Sequence, residues 1–364
     1  VRAAFTMVQL RYLHLVDLIG ELNLGKKKKR QRAMLPLLAT ACALLPSSNL
    51  LILDHYNYNH RKGDHALLKA FFFDLLGLTP DPRKAENLAN GKGTVWANMA
   101  AHQFHLAEGQ PDAQVLDGCI TLGYDSLEGV RARLASGLVD DKLSASAFSA
   151  DVQPDGSLAL TDPWGSPFKL VENIEDDVRS KQDNGADAEA RCLLDLTLNL
   201  GADTPPDRLA GIGRFYEQVL GCEVISVDAK RCVISMGGPT RADGSSLQTL
   251  TYAVCERSDV RHDDLDVDDE GRPLNRGAHI SVYLSDLRGA YRRADELGLV
   301  YVNHRFKRRA YNEEEAIEQC MFRMLDVVDP EDVAAGPIVR IEHEVRSAIK
   351  ADGKKYKSCP LVEV

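Results

Sequence analysis

The clearest pattern along the chain is a regular alternation of hydrophobic and polar residues in two distant segments, LILDHYNYN from Leu51 and CLLDLTLNL from Cys192. Alternation with a period of two is typical of a β-strand, because successive side chains point to opposite faces of a sheet. Each segment is followed by an aromatic cluster and a Leu-Gly pair, in AFFFDLLGL and GRFYEQVLGC. The pattern therefore predicts, twice, a strand that leads into a helix ending at a glycine, Gly77 or Gly221.

The ends of the two segments support an internal duplication. An Asp-Pro turn precedes an alternating strand both in LTDPWGSPFKLVEN and in VVDPEDVAAGPIVRIEHEV. Such turns commonly separate strands. The stretch between the two copies is polar and almost without large hydrophobic residues. We therefore expect a first half at residues 50–174, a linker at 175–190, a second half at 191–347 and a C-terminal tail at 348–364.

Composition and charge narrow the class of protein. A chain of 364 residues with 44% hydrophobic and 27% charged residues is typical of a water-soluble globular protein of two core-forming units. The formal net charge of −10 argues against nucleic acid as the main partner. Eight cysteines without CxxC pairs indicate free thiols in a reducing compartment.

The N-terminal extension, residues 1–49, has a different character. A basic run from Lys26 precedes a hydrophobic run from Met34 to Leu45. This order is typical of a targeting signal, and the hydrophobic run is too short to span a bilayer. A basic surface patch followed by a packed helix is the alternative. We therefore expect no stable membrane insertion, and a location in the cytoplasm or in an organelle stroma or matrix.

Three phrases, FYEQVLG, DPWGSPFKLVE and GAHISVYLSDL, resemble the vicinal oxygen chelate (VOC) superfamily. This superfamily includes glyoxalase I, extradiol dioxygenases, methylmalonyl-CoA epimerase and the fosfomycin- and bleomycin-resistance proteins. The resemblance implies an α+β fold built from βαβββ modules, with pairs of modules curled around a cavity that often holds a divalent metal ion. Four modules are expected, near residues 50–108, 117–174, 191–256 and 277–346. Four modules complete both cavities within one polypeptide, so a monomer is sufficient.

In metal-using members of this superfamily the ligands lie on the first and last strands of paired modules. If modules one and four share a cavity, as in glyoxalase I, the resemblance implies a site for Zn, Fe, Ni or Mn that contains His55, His105, His279 and Glu342. Modules two and three would then enclose Cys119, Lys169 and Asp195, with Asp195 and Lys169 forming an ion pair. If each half closes on itself instead, as in extradiol dioxygenases, His55 and His105 lie beside Lys169, and Asp195 joins His279 and Glu342. The crossed pairing is favoured, because a lysine disfavours a nearby cation.

The same alternation places other polar side chains on the ligand-bearing face of the strands. The candidates for binding substrate are Asn57, Gln103, Tyr283 and Arg340, and Asn59 and Ser281 share their face. Arg340 is the natural anchor for a carboxylate or phosphate. An ion pair of Arg340 with Glu344 or Asp195 is the alternative.

The resemblance leaves three functions open, all with a small-molecule ligand. The first is a glyoxalase-I-like lyase or isomerase, in which the metal stabilises an enediolate of a substrate with adjacent oxygens and Glu342 or His105 moves the proton. The second is an Fe(II) extradiol-type dioxygenase, in which His105 stays unbound and acts as acid or base. The third is a protein that binds a ligand without catalysis.

Overall fold

The structure is a computed structural model, and it describes residues 48–109, 112–137, 140–172, 185, 187–238, 241, 245–260 and 278–361. Residues 1–47 of the predicted targeting segment and most of the predicted linker lie outside these ranges, so both remain predictions. Within the described ranges, no helix combines the length and the apolar character needed to cross a membrane.

The first half of the chain contains two βαβββ modules. The strands of module one are β1 (Leu50–His60), β2 (Thr79–Pro80), β3 (Val95–Met99) and β4 (His102–Glu108). Its helices are α1 (His65–Leu68), which continues as a π-helical segment (Lys69–Leu75), and α2 (Ala85–Ala89). Module two consists of β5 (Gly118–Tyr124), α3 (Glu128–Ala135), α4 (Asp140–Leu143), β6 (Ser149–Val152), β7 (Leu158–Thr161) and β8 (Pro167–Val171).

The second half repeats this order. Module three consists of β9 (Ala190–Leu200), α5 (Pro206–Arg214) with its π-helical continuation (Phe215–Leu220), β10 (Val224–Val227), β11 (Arg231–Ser235) and β12 (Thr249–Val254). Module four consists of β13 (His279–Leu284), α6 (Leu287–Glu296), β14 (Val300–Tyr301), α7 (Glu313–Gln319), β15 (Met321–Val327), a 3₁₀ turn (Val333–Ala335) and β16 (Val339–Ser347).

The strands form two eight-stranded mixed sheets, and each sheet combines one module from each half of the sequence. The first sheet has the order β14-β15-β16-β13-β1-β4-β3-β2, and the second has the order β10-β11-β12-β9-β5-β8-β7-β6. Antiparallel pairing of β1 with β13 and of β5 with β9 joins the modules. The predicted α+β fold of four modules is confirmed. The crossed pairing of modules one and four is confirmed as well, and the pairing within each half is wrong.

A buried aromatic cluster packs the first helical segment against both sheets. The ring of Phe72, in the π-helical segment, lies 5.5 Å from Phe104 of β4 and 6.2 Å from Phe168 of β8, measured between ring centroids. All three side chains are almost completely buried. Aromatic pairs at such separations stabilise a core beyond the burial of their apolar area. The aromatic run AFFFDLLGL therefore contributes to the core that the two sheets share.

Both predicted helix ends coincide with glycines in the left-handed region of backbone space. Gly77 has φ 68° and Gly221 has φ 71°. A side chain in this conformation is strained, because its Cβ approaches the following carbonyl oxygen. At Gly221 a Cβ would in addition lie 2.8 Å from the Cβ of Asn49, whose amide donates a hydrogen bond to the carbonyl of Leu220. The glycine at position 221 is thus required for both conformation and space.

We expect Gly221→Ala to lower the free energy of unfolding by more than the matched variant Gly298→Ala. Gly298 has a similar φ of 69°, but an added Cβ there meets no atom within 4 Å. Gly298→Ala measures the conformational strain alone, roughly 1–2 kcal/mol, and Gly221→Ala adds the clash with Asn49. Urea unfolding of both variants tests this. Equal losses in the two variants would contradict the packing of Asn49 against this helix end.

Candidate metal centre

An irregularity in β1 brings two neighbouring side chains to the same side of the first sheet. The pairing of β1 with β13 shifts between Leu53 and His55, so Asp54 is an extra residue in the strand. Such a β-bulge re-aims side chains that would otherwise point to opposite faces. The side-chain amide of Gln248 bonds to both the N–H and the C=O of Leu53, at 3.0 and 2.9 Å, just before the bulge. Asp54 Oδ2 consequently lies 2.7 Å from His55 Nδ1.

Three side chains from three strands converge next to this bulge. His279 Nε2, on β13, lies 3.3 Å from His55 Nε2 and 3.2 Å from Glu344 Oε2, on β16. The ligand atoms of all three residues lie within 4.8 Å of one another, and all three side chains are buried. Two histidines and one carboxylate therefore form a compact cluster on β1, β13 and β16.

The compact cluster contains Glu344 in the place of the predicted ligand Glu342. Both glutamates are on the same face of β16, two residues apart. The register pairs His55 with Ser281 and Ser281 with Glu344, so His55 and Glu344 share a row across the sheet. The carboxylate of Glu342 is held by the guanidinium of Arg323 and by Asn303 Nδ2 at 2.6 Å.

Arginines surround the carboxylate of the cluster. Arg346 Nε donates to Glu344 Oε1 at 2.7 Å, and Arg323 Nη2 donates to Glu344 Oε2 at 2.8 Å. Burial alone would raise the pKa of Glu344, but Arg346, Arg323 and His279 together hold this pKa well below its usual range. Glu344 is therefore a carboxylate at neutral pH, the protonation state that a metal ligand needs.

The protonation of His55 also suits a ligand. Burial lowers the pKa of His55 well below its usual value, and the nearby Arg346 and His279 lower it further, so the ring is neutral at pH 7. Since the Asp54 carboxylate accepts the Nδ1 proton, the lone pair of Nε2 points toward His279. A carboxylate on the outer nitrogen of a ligating histidine is the usual arrangement in metal sites.

The spacing of the cluster can be compared with metal coordination. Two nitrogen or oxygen ligands at about 2.0–2.1 Å from a tetrahedral ion lie roughly 3.3 Å apart. Two of the three separations in the cluster are 3.3 and 3.2 Å, and the third, between His55 and Glu344, is within 4.8 Å. The donor types, their burial and their spacing therefore fit a divalent ion held by His55, His279 and Glu344.

The fourth predicted ligand, His105, lies next to the cluster. Its ring stacks on His55 at 3.7 Å and on Trp96 at 4.4 Å, between centroids. His105 Nε2 lies 3.0 Å from the Gln103 side-chain oxygen, to which it donates its proton, and Gln103 Nε2 donates to Asp81 at 2.9 Å. Burial lowers the pKa of His105 well below its usual value. His105 is therefore a neutral imidazole with Nδ1 as its proton acceptor.

A cavity of about 620 Å³ opens onto the cluster. His105, His279 and Glu344 form part of its wall, as do Asn57 and Gln103, both predicted to bind substrate. A volume of this size is typical of a small-molecule site. The cluster is therefore accessible to a small molecule, whereas His55 itself is completely buried.

The other two predicted substrate residues have different roles. Arg340 Nε bonds to Asp326 at 2.8 Å, and Arg340 is absent from the described residues that line the cavity. The contact with Asp326 takes the place of the predicted ion pair with Glu344 or Asp195. The position of Arg340 outside the cavity wall argues against its predicted role as an anchor for substrate. Tyr283 is buried, and its hydroxyl donates to the carbonyl of Ser358 at 2.8 Å. Tyr283 therefore holds the C-terminal tail against the sheet.

The second sheet places Cys119, Lys169 and Asp195 in different surroundings. Asp195 accepts hydrogen bonds from the hydroxyls of Thr197, Thr249 and Thr251 at 2.6–2.8 Å. Lys169 pairs with Asp155 at 3.3 Å. The predicted ion pair between Asp195 and Lys169 is therefore wrong. Burial raises the pKa of the Cys119 thiol to about 11, so this thiol is protonated at neutral pH.

No protein-family model and no curated protein sequence matches the chain. Solved structures do match it. The cppA protein from Streptococcus pneumoniae is 9% identical, with 82% of this chain and 99% of that chain covered and a TM-score of 0.41. Homoprotocatechuate 2,3-dioxygenase from Arthrobacter globiformis is 12% identical, with 87% and 85% covered and a TM-score of 0.24.

Lactoylglutathione lyase from Agrobacterium tumefaciens is 17% identical, with 33% of this chain and 92% of that chain covered and a TM-score of 0.22. Dioxygenases and glyoxalases are the classes of protein that the sequence resemblance named. Identities and TM-scores this low establish no reaction, substrate or metal for this chain.

Sequence reasoning missed Asp54, Glu344 and the two arginines that hold Glu344. Strand alternation assigns Asp54 to the opposite face from His55, and only the bulge reverses this. For Glu344 a signal was available, because it shares a face with Glu342, but the register places Glu342 opposite His279, so the choice between them depends on side-chain contacts.

Proposed function

We propose that this chain is a metal-dependent enzyme that acts on a small molecule with two adjacent oxygens, and that His55, His279 and Glu344 hold the metal ion. The observation that supports the proposal is the cluster itself, in which three ligand atoms lie within 4.8 Å of one another in buried surroundings. Buried charged and polar groups without partners are costly, so such a cluster is maintained only where its members are paired or bind an ion.

The donor set favours oxygenase chemistry over the other two functions. Two histidines and one carboxylate on one side of an ion are typical of non-haem Fe(II) oxygenases, because open coordination positions remain for substrate and O₂. An ion held there would polarise the two oxygens of a diol, and iron would add the capacity to react with O₂. We therefore propose that the reaction is the addition of both atoms of O₂ to a small diol.

The side chains around the cluster would handle the proton and the substrate. His105 lies in the cavity wall, and its Nδ1 is available to accept a proton from a diol hydroxyl. Gln103 fixes the His105 ring through the bond to Nε2, and Asp81 in turn fixes Gln103. Asn57 faces the same cavity and offers an amide to a substrate oxygen.

A lyase or isomerase is the second candidate, and His105 is the observation in its favour. Glu342, the base first considered for this reaction, is bonded to Arg323 and Asn303. Both of its carboxylate oxygens are thus bonded within the protein, and Glu342 is absent from the described residues that line the cavity. His105 is then the group in the cavity that can remove a proton next to a carbonyl.

The test separates the candidates by metal and by reaction. Metal-free protein is loaded anaerobically with Fe(II), Ni(II), Zn(II) or Mn(II) and supplied with a panel of catechols and of 2-hydroxy ketones. We expect O₂ uptake with a catechol by the Fe(II) form, measured with an oxygen electrode. Exchange of the carbon-bound proton of a hydroxy ketone into D₂O by the Ni(II) or Zn(II) form, without O₂ uptake, would favour the isomerase instead.

The carboxylate of Asp54 provides a separate prediction. Asp54→Asn removes the charge that orients His55 while it keeps the size of the side chain. We expect the metal affinity to fall about 10–100-fold, as is usual for the outer partner of a ligating histidine. Competitive titration with a fluorescent chelator measures it. Asp326→Asn, which removes the partner of Arg340 elsewhere in the same sheet, is the control and should bind metal like the wild type.

A further inference from the structure

The cavity above the cluster is lined by far more cationic than anionic side chains. Eight lysines and arginines contribute to its wall, against two acidic residues, Asp54 and Glu344. The whole chain has the opposite balance, with a formal net charge of −10. The wall of this cavity is therefore cationic, although the chain as a whole is acidic.

Three of the eight cations already have anionic partners. Arg346 and Arg323 bind Glu344, and Arg83 forms a two-pronged pair with Asp81 at 2.8 and 2.7 Å. The carboxylates of Glu344 and Asp81 thus pair with these three arginines, which therefore add little net positive charge at the mouth of the cavity.

The other five cations form what we call the basic rim. Its members come from three distant parts of the chain, which are Lys84, the loop residues Arg305, Lys307 and Arg308, and Lys357 of the C-terminal tail. Among the described residues, none of these five side chains lies within ion-pair distance of an Asp or Glu carboxylate. An unneutralised group of this size around one opening attracts anions and raises their local concentration.

Aromatic rings hold part of the rim in position. Lys84 Nζ lies 5.0 Å from the centroid of Trp96, and the Arg308 guanidinium carbon lies 5.6 Å from the centroid of Tyr356. Contacts of a cation with an aromatic face at such distances are attractive. Trp96 also stacks on His105, so the rim and the cluster share a wall of the cavity.

We propose that the substrate carries an anionic group, a phosphate or a carboxylate, apart from the two oxygens that meet the cluster, and that the basic rim binds this group. Arginine and lysine together suit such anions, because guanidinium groups bind their oxygens in pairs and ammonium groups act as compact charges. The inference rests on the proposed function, since it places the substrate between the rim and His55, His279 and Glu344.

The test uses phenyl phosphate, benzoate and uncharged phenol as probes, titrated by calorimetry into metal-free protein at low salt. The rim variant carries Arg305→Ala, Lys307→Ala and Arg308→Ala. The control carries Lys62→Ala, Lys92→Ala and Lys230→Ala, three exposed lysines outside the cavity, so it loses the same charge. Metal content is measured separately for each protein after reloading.

We expect the wild type and the control to bind phenyl phosphate or benzoate but not phenol, and the rim variant to bind the same anion at least about tenfold more weakly. The anion that binds more tightly identifies the group as phosphate or carboxylate. Equal binding of the anions by the rim variant and the control, or equal binding of phenol and the anions, would overturn the inference.

The metal measurement keeps the two proposals apart. Wild-type protein that takes up no metal but binds an anion through the rim would contradict the proposed function and support the anion site. If the wild type binds metal but the rim variant and the control bind the anions equally well, only the proposal of an anion site is contradicted.

Discussion

Glu344→Gln will lose most of the metal affinity of the protein, and Glu342→Gln will keep it. The two substitutions are chemically identical, and they lie two residues apart on the same face of β16. Glu344 Oε2 lies 3.2 Å from His279 Nε2, and Glu344 rather than Glu342 belongs to the compact cluster with His55 and His279. Glu342 is held by Arg323 and Asn303. Since replacement of an outer partner of a ligand already weakens metal binding about 10–100-fold, we expect at least about 100-fold for the loss of the ligand itself.

Competitive titration with a chelator measures both variants under the same conditions. Circular dichroism and thermal unfolding confirm that each variant is folded, because both glutamates are buried beside Arg323. If Glu342→Gln loses the metal and Glu344→Gln retains it, the original assignment from the sequence is right and the ligand set proposed from the geometry is wrong.

Phe72→Ala will destabilise the whole described unit by about 3–5 kcal/mol, the usual cost of removing a buried phenylalanine. Phe72 is completely buried, and its ring contacts Phe104 of the first sheet and Phe168 of the second. The lost contacts therefore affect both sheets, and we expect a single unfolding transition that shifts to lower urea concentration. Fluorescence and circular dichroism should report the same midpoint.

Val152→Ala is the matched control, because Val152 is exposed on β6. Surface substitutions of this kind usually change stability by less than about 0.5 kcal/mol. Two separate transitions in Phe72→Ala, or a loss no larger than in Val152→Ala, would contradict the packing of Phe72 between the two sheets.

The fold was largely predictable from the sequence, because its modules are marked by local patterns. The alternation in LILDHYNYN and CLLDLTLNL corresponds to β1 and β9, and the predicted helix ends coincide with the left-handed glycines Gly77 and Gly221. The crossed pairing was favoured because pairing within each half would place His55 and His105 beside Lys169.

The site was predictable only in part, because its details depend on contacts between distant strands. His55, His105 and His279 were found from their strand positions, and they do come together. The backbone register places Glu342 opposite His279, so the position of the Glu344 carboxylate beside the His279 ring depends on side-chain contacts with Arg323 and Arg346, which no local pattern encodes. Asp54 entered the site through a bulge that Gln248, nearly two hundred residues away, helps to fix.

The charge of the site was the least predictable feature. The sequence indicated Arg340 as the anchor for an anion, and this residue pairs with Asp326 instead. The cations of the basic rim come from loops and from the tail, whose positions follow from tertiary packing rather than from periodicity. The net charge of −10 gave no sign of them, because it averages over the whole surface.

We propose that His55, His279 and Glu344 together bind one divalent metal ion. The most direct test is the metal content of wild-type protein, purified without chelator, beside His279→Ala and the control His304→Ala, measured by elemental mass spectrometry. We expect close to one ion per chain in the wild type and in His304→Ala, and almost none in His279→Ala. A wild type that holds no Fe, Zn, Ni or Mn even after reconstitution, or a His279→Ala variant that holds as much metal as the wild type, would contradict the proposal.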